Sequence, residues 1–373
     1  MINFEKKLLR KFDYILFLSI TLLSMFGFIS LYASSIGTKG IAHIGDVKTQ
    51  AIAFFIGIVT MLILTFFDYD VLGKFYLPIY IFCNLLLIAV LLFGTGEKQW
   101  GARSWLVIGS FSFQPSEIVK IGTIISVAKY IEKNSEKINE LFTLIKVLTF
   151  SFIPVFLILM QPDFGTAVVF IFFIVAMLFV TGLDIKYFLY AGITAIASMF
   201  FMYFFTFDDY QKDRLNVFLN PEADNLNSGY HVAQSKIAIG SGKKLGRFLF
   251  DEINFTSGGF LPEKHTDFIF SVIGEAFGLI GGLVLISLYF IMIYRLISIA
   301  KAAKDLFGSL VIVGVTAMMV FHIIQNIGMT MGLLPVTGIP LPFISKGGTF
   351  LISNMISIGL ALSIGIRKNK INF

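Results

Sequence analysis

Cysteine occurs once in the 373 residues, at Cys83, which excludes a disulfide framework and any cysteine-built metal site. It lies within an apolar run, where a small core side chain is its ordinary use. Charge is also scarce. Asp, Glu, Lys and Arg make up 14% of the chain against 57% hydrophobic residues, a balance no soluble domain of this length needs. The net charge of +6 comes without any nucleic-acid-binding motif, so nucleic acid is not an expected partner. No low-complexity linker, convincing internal repeat or second domain interrupts the chain, and residues 1–373 read as one membrane unit.

What the chain has in excess is apolar length. Phenylalanine occurs 43 times, mean hydropathy is +0.86, and apolar stretches of about span length recur throughout. They run from Phe12 to Tyr32, Thr49 to Phe67, Leu72 to Phe93, Pro115 to Ile131 and Leu144 to Met160. Further ones run from Gly165 to Thr181, Ile185 to Phe205, Asp267 to Tyr294, Phe307 to Leu334 and Ile352 to Ile366. The expected fold is an all-α polytopic membrane protein of about ten transmembrane helices. The first stretch follows Lys6, Lys7, Arg10 and Lys11 and is long enough to be a retained anchor rather than a cleaved signal. A single helix from Val147 to Thr181 would reach about 50 Å, so Gln161, Pro162, Asp163 and Phe164 must turn the chain.

Lysine and arginine cluster in alternate short loops, which predicts cytoplasmic termini. The long connection from Thr206 to Thr266, between helices 7 and 8, is then an extracytoplasmic loop. Loops of that length usually carry function.

At the end of this loop stand Pro262, Glu263, Lys264, His265, Thr266 and Asp267, followed at once by apolar Phe268, Ile269 and Phe270. A carboxylate at the mouth of a lipid-embedded helix is costly unless it faces a wet cavity, which makes Asp267 the leading site candidate. Ser271, Gly274, Gly278 and Gly281 form a small face on the following helix, allowing close packing. Glu275 lies deeper on the same helix. A second cluster joins Arg103, Ser104 and Trp105 to Gln114, Pro115, Ser116, Glu117 and Lys120, where Glu117 and Lys120 are within reach as a structural ion pair or as part of a wet site. Gln161, Pro162, Asp163, Gly165 and Thr166 form a third, which a tight turn with a helix cap would explain by itself. The glycines and prolines between Gln325 and Gly348 form a fourth; non-helical backbone near membrane depth implies a cavity wall. In the long loop, Lys236, Lys243, Lys244 and Arg247 read either as a headgroup-facing surface or as a phosphate clamp.

The stretches FQPSEIVK, QPDFGTA, YQKDRLNVFLNPEADNLNSGYHVAQSKIAIGSG, LPEKHTDFIF and QNIGMTMGLLPVTGIPLPFIS resemble the SEDS family of bacterial shape, elongation, division and sporulation proteins over nearly the whole chain. PEKHTDFIF and GYHVAQSKIAIGSG are nearer the family's RodA branch than its division branch. The resemblance implies a peptidoglycan glycosyltransferase in the bacterial cell membrane that polymerises lipid II into nascent glycan at the outer face, beside a class B penicillin-binding protein that cross-links it. It places the family's essential aspartate at Asp267 and sets Glu117, Lys120, Gln161, Pro162, Asp163, Lys236 and Ser345 in family motifs. Ser104 stands where the family commonly has arginine before the tryptophan, leaving Arg103 as a displaced basic candidate. Lys346 replaces a usual tyrosine, and Thr349 and Phe350 replace a small pair.

The reaction so implied is attack of an N-acetylglucosamine 4-hydroxyl on the anomeric carbon of N-acetylmuramic acid, expelling undecaprenyl diphosphate with inversion. It needs a base, expected at Asp267, and stabilisation of the leaving diphosphate. Arg103, Lys236, Lys243, Lys244 and Arg247 are candidates for the latter, alone or through a divalent cation such as magnesium or manganese. Neither a dedicated metal cage nor an organic cofactor site is evident. Phenylalanine-rich grooves facing membrane lipids would take the polyprenyl tails. A precursor flippase, or a non-catalytic scaffold of the wall-synthesis complex, is the alternative reading.

Overall fold

The computed structural model describes residues 11–35, 45–96, 103–109, 111–205, 212, 228–247, 261 and 263–367. Its long helices are α1 Tyr14–Ser35, α2 Gly45–Phe66, α4 Tyr76–Phe93, α5 Pro115–Asn134, α6 Leu141–Leu159, α7 Phe164–Val180, α8 Ile185–Phe205, α10 Ile269–Lys301, α11 Leu306–Thr330 and α12 Gly348–Ile366. Two shorter α-helices are α3 Tyr69–Lys74 and α9 Ser228–Ser241. Each predicted apolar stretch overlaps one of the long helices, whose ends differ from the predicted ones by up to seven residues. Among the described residues, eight helices are long and apolar enough to cross a membrane. The two others fall short for visible reasons: α7 is 17 residues long, and α5 carries Glu117, Lys120, Lys129, Glu132 and Lys133.

The fold is helical with one correction. Leu106–Ile108 and Phe111–Phe113 pair as a short antiparallel hairpin, Val107 opposite Ser112, between α4 and α5. Gly109, at φ 64°, supplies the turn conformation that a side chain would resist.

Close packing in the bundle rests on small residues. A Cβ on Gly57 of α2 would come within 2.9 Å of Met355 Cγ on α12, and one on Gly359 of α12 within 2.8 Å of the Met61 carbonyl. The two helices therefore approach through reciprocal glycines, since lipid offers no hydrophobic force to press them together. Cys83 is buried on α4 against Gly122 of α5, the core role expected of it.

One end of the bundle is tied by charge. The Arg295 guanidinium, near the end of α10, donates to Asp13 before α1 at 2.6 Å, and Lys304 donates to Asp70 at 2.9 Å. Asp305 caps α11 through the Gly308 N–H at 2.7 Å and accepts the Tyr69 hydroxyl, also at 2.7 Å. At the opposite end, His265 meets Ser34 at the end of α1. Asp267 and the basic end are thus separated by the length of α1, about 30 Å at 1.5 Å per residue.

Two features of the 228–301 region differ from a plain loop followed by a plain helix. Part of the long connection is α9, whose Gly229, Val232, Ser235 and Ala238 are buried at three-residue spacing. Ser235 donates to Thr330 O on α11 at 2.6 Å, and Ser271 on α10 lies 2.5 Å from the Ser235 hydroxyl. Further on, α10 breaks at Gly278, which has φ 62° and ψ −160°. There the Leu279 and Ile280 N–H groups leave the helical pattern and donate to the Lys243 and Lys244 carbonyls at 3.0 and 3.2 Å. Backbone crowding explains the glycine, because a Cβ at 278 would stand 2.5 Å from Gly246 N and 2.8 Å from Lys244 O. The expected small face is present, but it receives another segment of the same chain across a helix break. Residues 206–211, 213–227 and 248–260 of the connection, together with Pro262, lie outside the described residues.

Candidate functional site

Asp267 is in a run of turns over residues 263–268, and α10 begins only at Ile269, two residues later than the sequence suggests. Thr266 N–H and Phe268 N–H both donate to Glu263 O at 3.2 Å, and the Thr266 hydroxyl donates to the Glu263 carboxylate at 3.0 Å. Glu263 adopts φ 50° to close this turn. Asp267 is half-buried, whereas Phe268, Ile269 and Phe270 are buried. The carboxylate thus marks the polar rim of an apolar floor.

The wall beside it is the glycine- and proline-rich stretch after α11. Gly338, at φ 68°, approaches so closely that a Cβ there would lie 3.3 Å from Asp267 Oδ2. The Asn326 amide donates both to Asp267 O at 2.9 Å and to Ile339 O at 2.8 Å, fastening turn and wall together. Ser345 makes a second clamp. Its hydroxyl donates to Thr266 O at 2.6 Å and accepts the Leu341 N–H at 2.8 Å. Gln50 on α2 donates to Ser345 O and accepts the Gly347 N–H, each at 3.1 Å. The Ser345 side chain is therefore occupied in holding the wall. Lys346 donates its N–H to His265 O at 2.8 Å and pairs with Asp46 at 2.7 Å, which accounts for lysine at that position.

Beneath the wall is a buried charged network. Glu117 and Lys120 on α5, only 5% and 2% exposed, pair at 2.9 Å. The Lys120 ammonium also lies 3.2 Å from His322 Nε2 on α11, while His322 Nδ1 is 3.1 Å from Pro340 O. Because an ammonium can only donate, Nε2 must accept and Nδ1 must carry the proton donated to Pro340. Ser353 on α12 donates to Glu117 at 3.3 Å. The pair thus reaches the Asp267 wall through a neutral histidine instead of standing at the open mouth. His322 did not figure among the sequence candidates; its place one helical turn before Asn326, on the same face of α11, was the available signal.

The third cluster closes another side. Asp163 caps α7, accepting from Thr166 N–H at 3.1 Å and its hydroxyl at 2.9 Å, and also accepts from Ser104 at 3.1 Å and Gln114 at 3.4 Å. Those bonds explain both the aspartate and the serine at 104 structurally. Exposed Arg103 donates its N–H to Gln161 O at 3.2 Å. A Cβ on Gly165 would meet Thr337 O at 2.8 Å, so this turn abuts the same wall one residue from Gly338.

The basic run divides. Lys236 on α9 is exposed, and its side chain reaches Gly332, where a Cβ would come 2.6 Å from the ammonium. Lys243, Lys244 and Arg247 sit instead beside the Gly278 break; Arg247 N–H donates to Glu275 O at 2.9 Å. That break is about 15 Å along α10 from Asp267. Lys236 is thus the member of the run carried by the helix that docks one turn from Asp267.

Burial shapes the electrostatics of the turn. It lowers the Lys264 ammonium from its ordinary value, and the Glu275 carboxylate opposes that shift. Burial, then the Lys264 charge, holds His265 below its usual 6.5, so the ring is neutral at neutral pH. Its Nδ1 lies 2.7 Å from Ser34 Oγ, whose own proton goes to Leu31 O at 2.8 Å. Among the described residues, no group of three His, Cys, Asp or Glu is placed to hold a metal ion.

The sequence model of the FtsW/RodA/SpoVE family, described as cell cycle protein, matches residues 13–370. The peptidoglycan glycosyltransferase MrdB of Escherichia coli K12 is 40% identical over 286 residues, covering 77% of this chain and 76% of its own. A solved structure described as showing structural coordination of polymerization and crosslinking by a peptidoglycan synthase complex is similar at a TM-score of 0.81. It shares 29% identity, over 95% of this chain and 97% of that one. The rod shape determining protein RodA of Thermus thermophilus is similar at a TM-score of 0.72 and 26% identity, over 96% and 98% of the two chains.

Proposed function

Because the chain belongs to the FtsW/RodA/SpoVE family, we propose that it is a peptidoglycan glycosyltransferase, polymerising lipid II at the outer face of the bacterial cell membrane during elongation. The observation that carries this reading is Asp267, a half-buried carboxylate on a clamped turn with Gly338 against it. It acts as general base, taking the proton of the attacking 4-hydroxyl as the bond to the anomeric carbon forms and the diphosphate departs from the opposite face. An acceptor held between the turn and the wall is already oriented, so less entropy is lost in reaching the transition state. A divalent cation, magnesium or manganese, would come with the diphosphate oxygens. A flippase draws support from the α10 break, but residues 243–246 fill that break with satisfied backbone hydrogen bonds.

Lys236 is the preferred partner of the leaving diphosphate. Charge-assisted hydrogen bonds of this kind contribute about 1.5–3 kcal/mol. Lys236→Gln is therefore expected to lower kcat/KM for lipid II about 10- to 100-fold, with a smaller loss when Lys243, Lys244 and Arg247 are neutralised together. An equal or larger loss from the triple variant would move the clamp to the Gly278 break.

The basic end of the bundle is assigned to the cytoplasm by the positive-inside bias. Cysteines introduced at Asn227 and Asn369 are expected to react with an impermeant maleimide from outside and inside respectively, with Cys83 shielded by burial. Labelling of both from one side would overturn this orientation.

The synthase-complex neighbour and the lack of any transpeptidase motif here support a class B penicillin-binding protein as partner. Release of undecaprenyl diphosphate from lipid II by the reconstituted chain tests the proposed activity. Release should occur and should rise when the partner is added; no release with the partner present would refute the function.

A further inference from the structure

Phe350 stands where the family pattern has a small residue. It lies in the first turn of α12 and is only 5% exposed, yet its neighbours are not simply apolar. The His322 ring is 5.2 Å away, centroid to centroid and tilted by 34°, and the Lys120 ammonium sits over the Phe350 ring, 5.5 Å from its centre.

Those two groups tie the buried ion pair to the Asp267 wall. Among the described residues, the hydrogen-bonding partners of Lys120 are Glu117 at 2.9 Å and His322 Nε2 at 3.2 Å. The ring face adds a cation–π contact, which is attractive within about 6 Å. His322 in turn donates to Pro340 O at 3.1 Å. Pro340 is two residues from Gly338, where a Cβ would lie 3.3 Å from Asp267 Oδ2.

Lys120 settles which nitrogen of His322 carries the proton, but not the plane of the ring. Rotation about the bond joining an imidazole to its Cβ is soft and roughly two-fold. A half-turn would bring a ring carbon to Pro340 O in place of Nδ1 and leave that carbonyl without its donor. The neighbouring tethers lack this weakness. Asn326 holds Ile339 O, and the Tyr289 hydroxyl, which lies on its own ring's rotation axis, holds Pro342 O at 2.6 Å. Pro340 therefore depends on a rotatable ring, and Phe350 packs against that ring.

We propose that Phe350 is a positioning residue for the reaction: by fixing the His322 ring it keeps Pro340, and with it the Gly338 side of the site, in register with Asp267. The inference rests on Asp267 being the base.

Nitrogen NMR of the full-length protein, isotope-labelled at histidine and held in detergent, reads the contact. The kcat and KM for lipid II read its consequence. His322→Gln identifies the His322 signals among those of the four histidines. The wild type should show His322 as a single tautomer with Nδ1 protonated. Phe350→Leu should broaden those signals and, because an aromatic pair is worth up to about a tenfold shift in population, lower kcat by up to about that factor with KM nearly unchanged. Phe350→Tyr keeps the ring and should retain both the signals and kcat. Phe350→Met, more adaptable in packing, carries the same prediction as leucine should the leucine variant not fold. Unchanged His322 signals without the ring, or changed signals with wild-type kcat, would overturn the proposal. Polymerisation that survives Asp267→Asn would refute the base assignment itself, a failure the spectra distinguish from this one because they do not depend on activity.

Discussion

Asp267→Asn is expected to slow glycan polymerisation about 10²- to 10⁴-fold, the range that a positioned base contributes, with lipid II binding nearly unchanged. The substitution keeps volume and removes only the proton-accepting charge. What surrounds Asp267 predicts that the protein survives it: Asn326 holds the Asp267 backbone carbonyl, and Ser345 holds the carbonyl of Thr266. The turn is thus secured by main-chain bonds that the side-chain change leaves in place. Loss should therefore fall on kcat, as for an interaction made mainly in the transition state. A variant that binds lipid II and still polymerises it at near the wild-type rate would refute the base assignment. Gly338→Ala should damage the same step by a different route, straining a backbone at φ 68° and crowding Oδ2 from 3.3 Å.

Lys120→Met is expected to destabilise the fold by about 3–5 kcal/mol, the usual consequence of leaving one member of a buried pair charged and alone. Glu117 is 5% exposed, and its other side-chain partner among the described residues is Ser353, through a weak 3.3 Å bond. His322 would lose the donor to Nε2 as well, loosening its hold on Pro340 and hence on the Asp267 wall. The double variant Glu117→Gln/Lys120→Met removes both charges and should recover most of the stability, which a double-mutant cycle reads as a large coupling. Thermal unfolding in detergent, with the polymerisation rate measured per folded molecule, separates the two consequences. Additive losses from the single changes would mean that the ion pair is not the unit described here.

The helices were legible because membrane spans announce themselves by length: lipid leaves the backbone no partner but itself, and an apolar stretch can satisfy this only as a helix. Asp267 was legible for the complementary reason, a charge where lipid penalises charge. The sequence was less informative wherever the outcome depended on contacts between distant segments. Nothing local at Gly278 distinguishes a packing glycine from the break that admits Lys243 and Lys244. Helix α9 was hidden because its buried stripe is made of Gly229, Ser235 and Ala238 as well as Val232, small side chains that register as polar or neutral in an apolar count. Asp163 and Ser345 are substrate candidates by motif position, which does not reveal the internal bonds that also hold them. Those bonds join Asp163 to Thr166 N–H, and Ser345 to Thr266 O and Leu341 N–H.

Purified chain given lipid II as the sole glycan substrate, with the products resolved by length on a gel, is the most direct test of the proposal that polymerisation centres on Asp267. The wild type should produce a ladder of muramidase-sensitive strands, and an equally folded Asp267→Asn sample should produce at most about a hundredth as much in the same time. Absence of strands from the wild type with its cognate transpeptidase present, or the same ladder from both samples, would contradict it.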